Sequence, residues 1–313
     1  MAMIAPLKVG FYQKSCPSAE AIVKSTVNQA LATDNGVPAA LIRLHVHDCF
    51  GCDASILLDS TPANLAEKDS PANLGISGFD VIDQVKANLE AACPQTVSCA
   101  DIVAFAARDG VSMAGGTYYA VPGGRRDGTV SLAAEAAQNL PGSFFNVTQL
   151  RENFAKKGLS MAEMVTLSGA HSIGDSHCSS FSKRLYSFNS TYSQDPSMNL
   201  SYANYLRTKC PRPASKTNST STVVPDPVVP FDPVTPNLLD NNYYKILESH
   251  KGLVASDQVL WSSSLVTRKM VKNNANHPGK WASKFAEAMV KMGEIDLLTG
   301  VHGEIRKNCR VVN

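Results

Sequence analysis

The sequence predicts an all-α protein with only minor β structure. Apolar residues recur at helical spacing along most of the chain, whereas the strict alternation of apolar and polar residues that marks a half-buried strand is nearly absent. Serines able to cap helices precede two of the apolar segments. With 313 residues, of which 44% are hydrophobic, the chain can bury a large core. We therefore expect a single domain over residues 1–313, made of two helical lobes.

The N-terminal third carries clear helix signals. Apolar positions at helical spacing span residues 22–31, and the pattern stops at an Asp-Asn-Gly turn signal at 34–36. Pro38 opens a second helix, in which apolar residues interleave with Arg43 and the histidines. A third helix is expected over residues 81–89.

Capping signals mark helices further along the chain. Residues 98–101 resemble a capping box, and residues 160–163, Ser-Met-Ala-Glu, form a cleaner one. Later helices are expected at 240–250 and 280–292, each followed closely by a glycine. The stretch 211–236 is rich in Pro, Ser, Thr and Val, which indicates an extended loop.

Charge and hydropathy exclude several classes of function. The net charge of +2 comes without a long run of like charges, so we do not expect nucleic-acid binding. Because no segment has 18 consecutive apolar residues, we expect no transmembrane helix. Residues 1–6 are too short for a signal peptide, and we interpret them as a start methionine placed on a mature chain. No feature implies an obligate oligomer, so a monomer is expected.

Cysteines and glycosylation sequons indicate an oxidising, secretory compartment. The eight cysteines are Cys16, Cys49, Cys52, Cys93, Cys99, Cys178, Cys210 and Cys309. Four Asn-x-Ser/Thr sequons begin at Asn146, Asn189, Asn199 and Asn218. Spacing alone does not assign the disulfide pairs.

Arg43 and His47 are the first candidates for chemistry. Residues four apart on a helix share one face. A cation beside an imidazole suits a reaction in which a proton moves while negative charge develops. Two alternatives stay open on the residues alone: His47 binds a structural metal with His45, or both histidines are hydrogen-bonded core residues.

His171 is the second candidate. It lies among small and apolar residues in the run 167–174, Leu-Ser-Gly-Ala-His-Ser-Ile-Gly, at the end of a predicted helix. An imidazole there can ligate iron, and small neighbours leave room for a flat macrocycle. The alternative is a buried histidine bonded to a backbone carbonyl.

Cys49 and Cys52 form a Cys-x-x-Cys motif, which can be a redox-active dithiol or half of a zinc site. A βαβ frame and a second pair of zinc ligands are both missing from the sequence pattern. A short structural disulfide is the simpler interpretation.

Two groups of oxygen-bearing side chains have the chemistry that calcium prefers. The groups are Asp48, Asp53 and Ser55, and Asp232, Thr235 and Asp240. The alternative for each group is a set of solvated turn residues.

These motifs occur together, and in the order seen in one family. Residues 43–50, Arg-Leu-His-Val-His-Asp-Cys-Phe, with residues 51–59, closely resemble the distal haem motif of class III plant secretory peroxidases. Residues 167–174 resemble the proximal haem motif of that family. Further matches lie at 97–101, 124–127, 252–258 and 308–310, and the resemblance runs from Phe11 to the C-terminus.

The resemblance implies the haem peroxidase fold, with haem b enclosed by two helical lobes. It implies an enzyme that reduces hydrogen peroxide and oxidises phenolic donors, such as lignin precursors and related cell-wall phenolics. Pro141 matches a residue that lines the aromatic-donor site. The family also implies secretion, to the cell wall or to the vacuole.

The same resemblance implies roles for five residues. His171 would be the proximal iron ligand, and Asp257 would accept the proton of its other ring nitrogen. His47 would take a proton from one peroxide oxygen and return it to the other. Arg43 would stabilise the charge that develops as the O–O bond breaks, and Asn73 would hydrogen-bond His47.

Calcium ligands and disulfides are also implied by the resemblance. A distal calcium would take Asp48, Gly51 by its carbonyl, Asp53 and Ser55, although two residues usual in the family between Phe50 and Gly51 are missing here. A proximal calcium would take Ser172, Asp232, Thr235, Leu238 by its carbonyl, and Asp240. The disulfides would pair Cys16 with Cys93, Cys49 with Cys52, Cys99 with Cys309, and Cys178 with Cys210.

Val46 replaces a phenylalanine that is usual in the family, and we expect easier access for bulky peroxides or donors.

A secreted binding or structural protein with the same fold would be expected to lack Arg43, His47, His171 or Asp257, and all four are present. A thiol–disulfide oxidoreductase using the Cys-x-x-Cys motif would need a reactive thiolate and would work without haem.

Overall fold

A computed structural model of the chain describes residues 6–49, 52–212 and 226–313. Helices dominate these residues and strands are few, which confirms the predicted all-α class with minor β structure. The helices are α1 Ala19–Leu31, α2 Val37–Asp48, α3 Phe79–Ala92, α4 Cys99–Met113, α5 Ala133–Asn139, α6 Val147–Lys156, α7 Met161–Leu167, α8 Ser182–Tyr186, α9 Leu200–Lys209, α10 Asn242–Glu248, α11 Ala255–Ser262, α12 Leu265–Asn276 and α13 Pro278–Met292.

Within the described residues, four short strands form two antiparallel pairs. Strand β1 (Arg125–Arg126) pairs with β4 (Leu298–Thr299), and β2 (Asp175–His177) pairs with β3 (Val228–Pro230). Strand β3 lies inside the stretch 211–236 that the sequence predicts as a loop. A strand of three residues is too short for alternation to reveal it.

The predicted helices correspond to α1, α2, α3, α4, α7, α10 and α13. Ser160 and Glu163 form a complete capping box at α7, whereas at α4 Ser98 accepts a hydrogen bond from the Asp101 N–H at 3.2 Å. The predicted helices do not include α5, α6, α8, α9, α11 or α12. The buried residues of α12 include Thr267 and Asn274 as well as apolar ones. Polar residues on a buried face weaken the periodic signal.

The described chain divides into two compact units. The first comprises the described residues of Met1–Leu140, Lys156–Leu159 and Ala282–Asn313, and the second those of Pro141–Ala155 and Ser160–Trp281. The first unit has a core built from α1–α4, whereas the core of the second includes residues of α8 and α9.

Helix α4 fixes the position of α2 within the first unit. Its residues 99–111 are all buried. A Cβ at Gly110 would lie only 3.3 Å from the Cα atom and the carbonyl oxygen of Pro38, so glycine allows the two helices to approach closely. Leu41 and Leu44 of α2 belong to the same buried cluster, whereas Arg43 and His47 remain only half-buried.

All eight cysteines are paired, and no cysteine is free. The pairs are Cys16–Cys93, Cys49–Cys52, Cys99–Cys309 and Cys178–Cys210, the same four that the family resemblance implies. Among the sequons, Asn146, Asn189 and Asn199 are exposed, and Asn218 lies outside the described residues. No helix in the described part of the chain combines the length and the hydropathy that a membrane span requires.

Candidate active site

Arg43 and His47 lie one turn apart on α2, as their spacing predicts. The Arg43 guanidinium donates from its two Nη atoms to the carbonyl oxygens of Gly75 at 2.9 Å and Leu74 at 3.1 Å. These contacts orient the side chain without neutralising it, because carbonyls carry no net charge. Burial lowers the pKa of Arg43, but a guanidinium stays protonated in the physiological range.

The partner of His47 is Asn73, which the sequence analysis named. His47 Nδ1 lies 2.7 Å from Asn73 Oδ1, and Asn73 Nδ2 donates to the carbonyl of Glu67 at 2.7 Å. Since that carbonyl can only accept, the amide nitrogen must face it and Oδ1 must face the histidine. His47 Nδ1 therefore carries the proton, and in the neutral ring Nε2 is the basic nitrogen.

His45 has a different environment from His47. It is 3% exposed, and its Nδ1 lies 3.3 Å from the Sγ atom of Cys49. Burial, with a further contribution from the Arg125 cation, lowers the pKa of His45 to about 3. His45 is therefore a neutral core residue, and the structure gives the two histidines separate partners.

His171 follows α7 in a short 3-10 segment, Ser168–Ser172. Its Nδ1 lies 3.0 Å from both carboxylate oxygens of Asp257, and its ring stacks on Phe231 with centroids 4.1 Å apart and planes 6° apart. The acceptor is thus a carboxylate and not the backbone carbonyl of the alternative interpretation.

The other ring nitrogen of His171 suits a metal. No hydrogen bond to Nε2 is formed by the described residues, and the side chain is 41% exposed. A carboxylate on Nδ1 fixes the tautomer that leaves the Nε2 lone pair available for a metal ion. The residues present therefore fit a haem iron.

Asp257 has a second partner, which the sequence analysis missed. The hydroxyl of Tyr243 donates to Asp257 Oδ1 at 2.9 Å, and both side chains are buried. Tyr243 lies in the apolar pattern of α10, and Phe231 lies in the Pro-rich stretch. In the sequence alone each is indistinguishable from an ordinary core residue.

The first oxygen-rich group lies after α2. Asp48 Oδ1 is buried without a hydrogen-bond partner in the described part of the chain. Burial raises the pKa of Asp48 well above its ordinary value, and Asp53 and Glu67 raise it further. Burial also raises the pKa of Glu67 to about 7. Buried carboxylates with an unused oxygen fit a cation such as calcium.

Glu67, which the sequence analysis did not single out, is buried beside this group. The charge of Glu67 raises the pKa of Asp48, while the carbonyl oxygen of Glu67 accepts a hydrogen bond from Asn73. One residue thus links the acidic group to the partner of His47. Gly51, the expected carbonyl ligand, lies outside the described residues.

The second oxygen-rich group lies in the second unit. The Thr235 hydroxyl lies 3.0 Å from Asp232 Oδ2 and 3.1 Å from Asp240 Oδ2, so the structure brings these three residues together. The Ser172 hydroxyl oxygen is buried with no hydrogen-bond partner among the residues described. A second buried oxygen without a partner again fits a bound cation.

Leu238 belongs to the same loop, because its N–H donates to the Thr235 carbonyl at 3.0 Å. Across the described ranges, no cluster of three or more His, Cys, Asp or Glu side chains has the geometry of a metal site. Calcium at either group would therefore depend on hydroxyl and carbonyl oxygens beside the carboxylates.

Pro141 is half-buried just after α5. Three residues further on, Phe144 exposes 76% of its surface and makes an edge-to-face contact with Phe145, with centroids 5.4 Å apart. The segment therefore offers an aromatic surface to solvent.

Comparisons with known proteins identify the family. A family model described as Peroxidase matches residues 23–277. Peroxidase 5 of Vitis vinifera is 54% identical over 99% of this chain and 92% of its own length. Peroxidase 66 of Arabidopsis thaliana is 47% identical over 99% and 93%, and Peroxidase C1B of Armoracia rusticana is 44% identical over 99% and 87%. The chain belongs to the class III plant peroxidase family, whose members bind haem and calcium and use hydrogen peroxide to oxidise other molecules.

Proposed function

We propose that residues 1–313 act as one haem peroxidase domain that oxidises phenolic donors, including lignin precursors and related cell-wall phenolics. One observation carries the assignment of roles. Two histidines each engage Nδ1 with an oxygen acceptor, but His171 faces the carboxylate of Asp257 whereas His47 faces the neutral amide of Asn73. The difference in charge gives the two rings different chemistry.

His171 is the proposed iron ligand. An anionic acceptor on Nδ1 gives the imidazole more imidazolate character, which makes Nε2 a strong electron donor to a metal. When haem is bound, its iron supplies the redox chemistry: two electrons to peroxide, recovered one at a time from two donor molecules.

His47 is the proposed proton carrier. A neutral acceptor on Nδ1 holds the ring in place, and Nε2 is the nitrogen proposed to take a proton from one peroxide oxygen and return it to the other. The Arg43 guanidinium stabilises the negative charge on the departing oxygen. One peroxide and two donor molecules give two waters and two donor radicals, so protons and electrons balance.

The donor and ion sites follow from the remaining residues. Pro141 is proposed to contact aromatic donors, and Val46 to leave room for bulky ones. One calcium is proposed at Asp48, Gly51, Asp53 and Ser55, and a second at Ser172, Asp232, Thr235, Leu238 and Asp240. The family is secretory, which indicates a secreted protein, and we propose the cell wall, or else the vacuole, as its destination and a monomer as its form.

The test is spectroscopic. The Soret band of the haem-loaded, calcium-replete protein should shift with hydrogen peroxide and recover as guaiacol turns coloured. His47→Leu should slow the shift by about 10²–10⁴-fold, whereas replacing the exposed His302 by alanine should leave the rate unchanged. If the unaltered protein shows no shift, the binding-protein alternative replaces the enzyme.

A further inference from the structure

We propose that Tyr243 is a positioning residue for the haem iron, limiting through Asp257 the electron donation from His171. The inference rests on the proposed function, in which His171 ligates the iron.

The carboxylate of Asp257 accepts hydrogen bonds from two side chains. Asp257 Oδ1 lies 3.0 Å from His171 Nδ1 and 2.9 Å from the hydroxyl of Tyr243, so one carboxylate oxygen serves both donors. Asp257 and Tyr243 are 3% and 2% exposed. In the described ranges neither Lys nor Arg pairs with Asp257, so these two donors share its charge.

The hydrogen bond between Tyr243 and Asp257 has only one possible direction. A carboxylate can only accept, so the phenol must donate. The phenol therefore keeps its proton and remains a donor.

Tyr243 acts on His171 electrostatically, through the charge of Asp257. Each hydrogen bond to the carboxylate draws on its negative charge, and the effect is strong in a buried, low-dielectric site. A donor other than His171 weakens the pull of Asp257 on the Nδ1 proton. The imidazole then has less imidazolate character, and iron(III) is less stabilised relative to iron(II). Removing the Tyr243 hydroxyl should do the reverse.

Tyr244 provides the matched control. It is the next residue of α10 and is fully buried, but its hydroxyl donates to the carbonyls of Val165 and Thr166 at 2.9 and 3.0 Å. Its replacement by phenylalanine removes a buried phenol hydroxyl without touching Asp257.

The experiment measures two properties of the haem-loaded protein that do not depend on turnover. They are the iron(III)/iron(II) midpoint potential and the iron–histidine stretching frequency of the ferrous protein, recorded for Tyr243→Phe, Tyr244→Phe, Asp257→Asn and the double variant of Tyr243 and Asp257. Tyr243→Phe should shift the potential downward and the frequency upward. Tyr244→Phe should change neither, and Asp257→Asn should shift both the other way. In the Asp257→Asn background, Tyr243→Phe should have a much smaller effect, because the negative charge that the two donors share is gone, although an amide oxygen remains.

The outcomes separate the inference from the proposed function. If Asp257→Asn shifts both properties and Tyr243→Phe shifts neither, the inference is wrong and the iron ligand stands. An upward potential in Tyr243→Phe would also overturn it, because Tyr243 would then only hold Asp257 in place. If Asp257→Asn changes neither property, the pairing of His171 with the iron fails, and the inference falls with it.

Discussion

His47 Nδ1 lies 2.7 Å from Asn73 Oδ1, and this contact decides which nitrogen of the histidine is basic. Asn73→Val removes the acceptor and lets the ring rotate and change tautomer. Since the whole acid–base contribution is about 10²–10⁴-fold and a misoriented ring loses only part of it, we expect the second-order rate constant for reaction with hydrogen peroxide to fall by roughly 10–100-fold. Stopped-flow measurement of the Soret change gives the rate.

Asn64→Val is the control for that experiment. Asn64 donates a similar amide hydrogen bond, to the Ser131 carbonyl at 2.7 Å in the same unit, but has no histidine partner. It should lose stability without losing rate. An unchanged rate in Asn73→Val would show that the amide does not set the basicity of His47.

Calcium removal should make stability depend on pH in a definite direction. Without a cation, burial raises the pKa of Glu67 from 4.5 to about 7. The folded protein then binds a proton that the unfolded chain has released. The contribution of this proton to the free energy of unfolding is complete below about pH 4.5. It is lost as pH rises through about 7, which lowers the stability by up to ~3 kcal/mol.

Thermal unfolding from pH 4.5 to 8, with a chelator and with calcium, measures this effect. Calcium should flatten the dependence, because a cation stabilises the ionised carboxylates without a proton. Glu67→Gln should weaken the dependence in the chelated protein, where the raised pKa of Asp48 still contributes. A chelated protein that becomes more stable as pH rises from 5 to 7 would contradict the expectation.

Gly169 should not tolerate a side chain. A Cβ there would lie 2.7 Å from the hydroxyl of Tyr244 and 2.8 Å from Trp281 Nε1, and both of these side chains are buried. We expect Gly169→Ala to cost about 1–3 kcal/mol and to weaken haem retention, because His171 lies two residues away. Denaturant unfolding and the haem content of the purified protein report the two effects.

Gly279→Ala is the matched substitution, because nothing lies within 4 Å of its Cβ position. In the first turn of α13, alanine should stabilise by up to about 1 kcal/mol. Equal effects of the two substitutions would show that the packing around His171 is loose.

The contributions of two disulfides to the free energy of unfolding should follow the lengths of the loops that they close. Removing Cys178–Cys210, which spans 32 residues, should cost about 3–4 kcal/mol, whereas removing Cys49–Cys52, which spans 3, should cost about 2 kcal/mol. Paired alanine variants and denaturant unfolding measure both. A reversed order would mean that local packing outweighs loop closure.

Thiol reagents applied to the native protein test the competing oxidoreductase function. Because every cysteine is paired, we expect no labelling. Labelling at Cys49 or Cys52 would instead indicate a reactive dithiol and revive that alternative.

The amino-acid sequence by itself predicted the helices that have strong local signals. It also placed two candidate catalytic residues on one face of a helix. Pro38 and the apolar spacing of α2 predicted the helix, and i, i+4 spacing placed Arg43 and His47 together. The serine caps marked α4 and α7. These predictions succeeded because their causes lie within a few residues of one another.

Only the tertiary structure decided which partners give the two histidines their chemistry. Asn73 is 26 residues from His47, and Asp257 is 86 residues from His171. The family resemblance suggested those two partners, but Glu67, Phe231 and Tyr243 had no signal of their own. A hydrogen bond between distant segments depends on how helices pack, and no local periodicity records it.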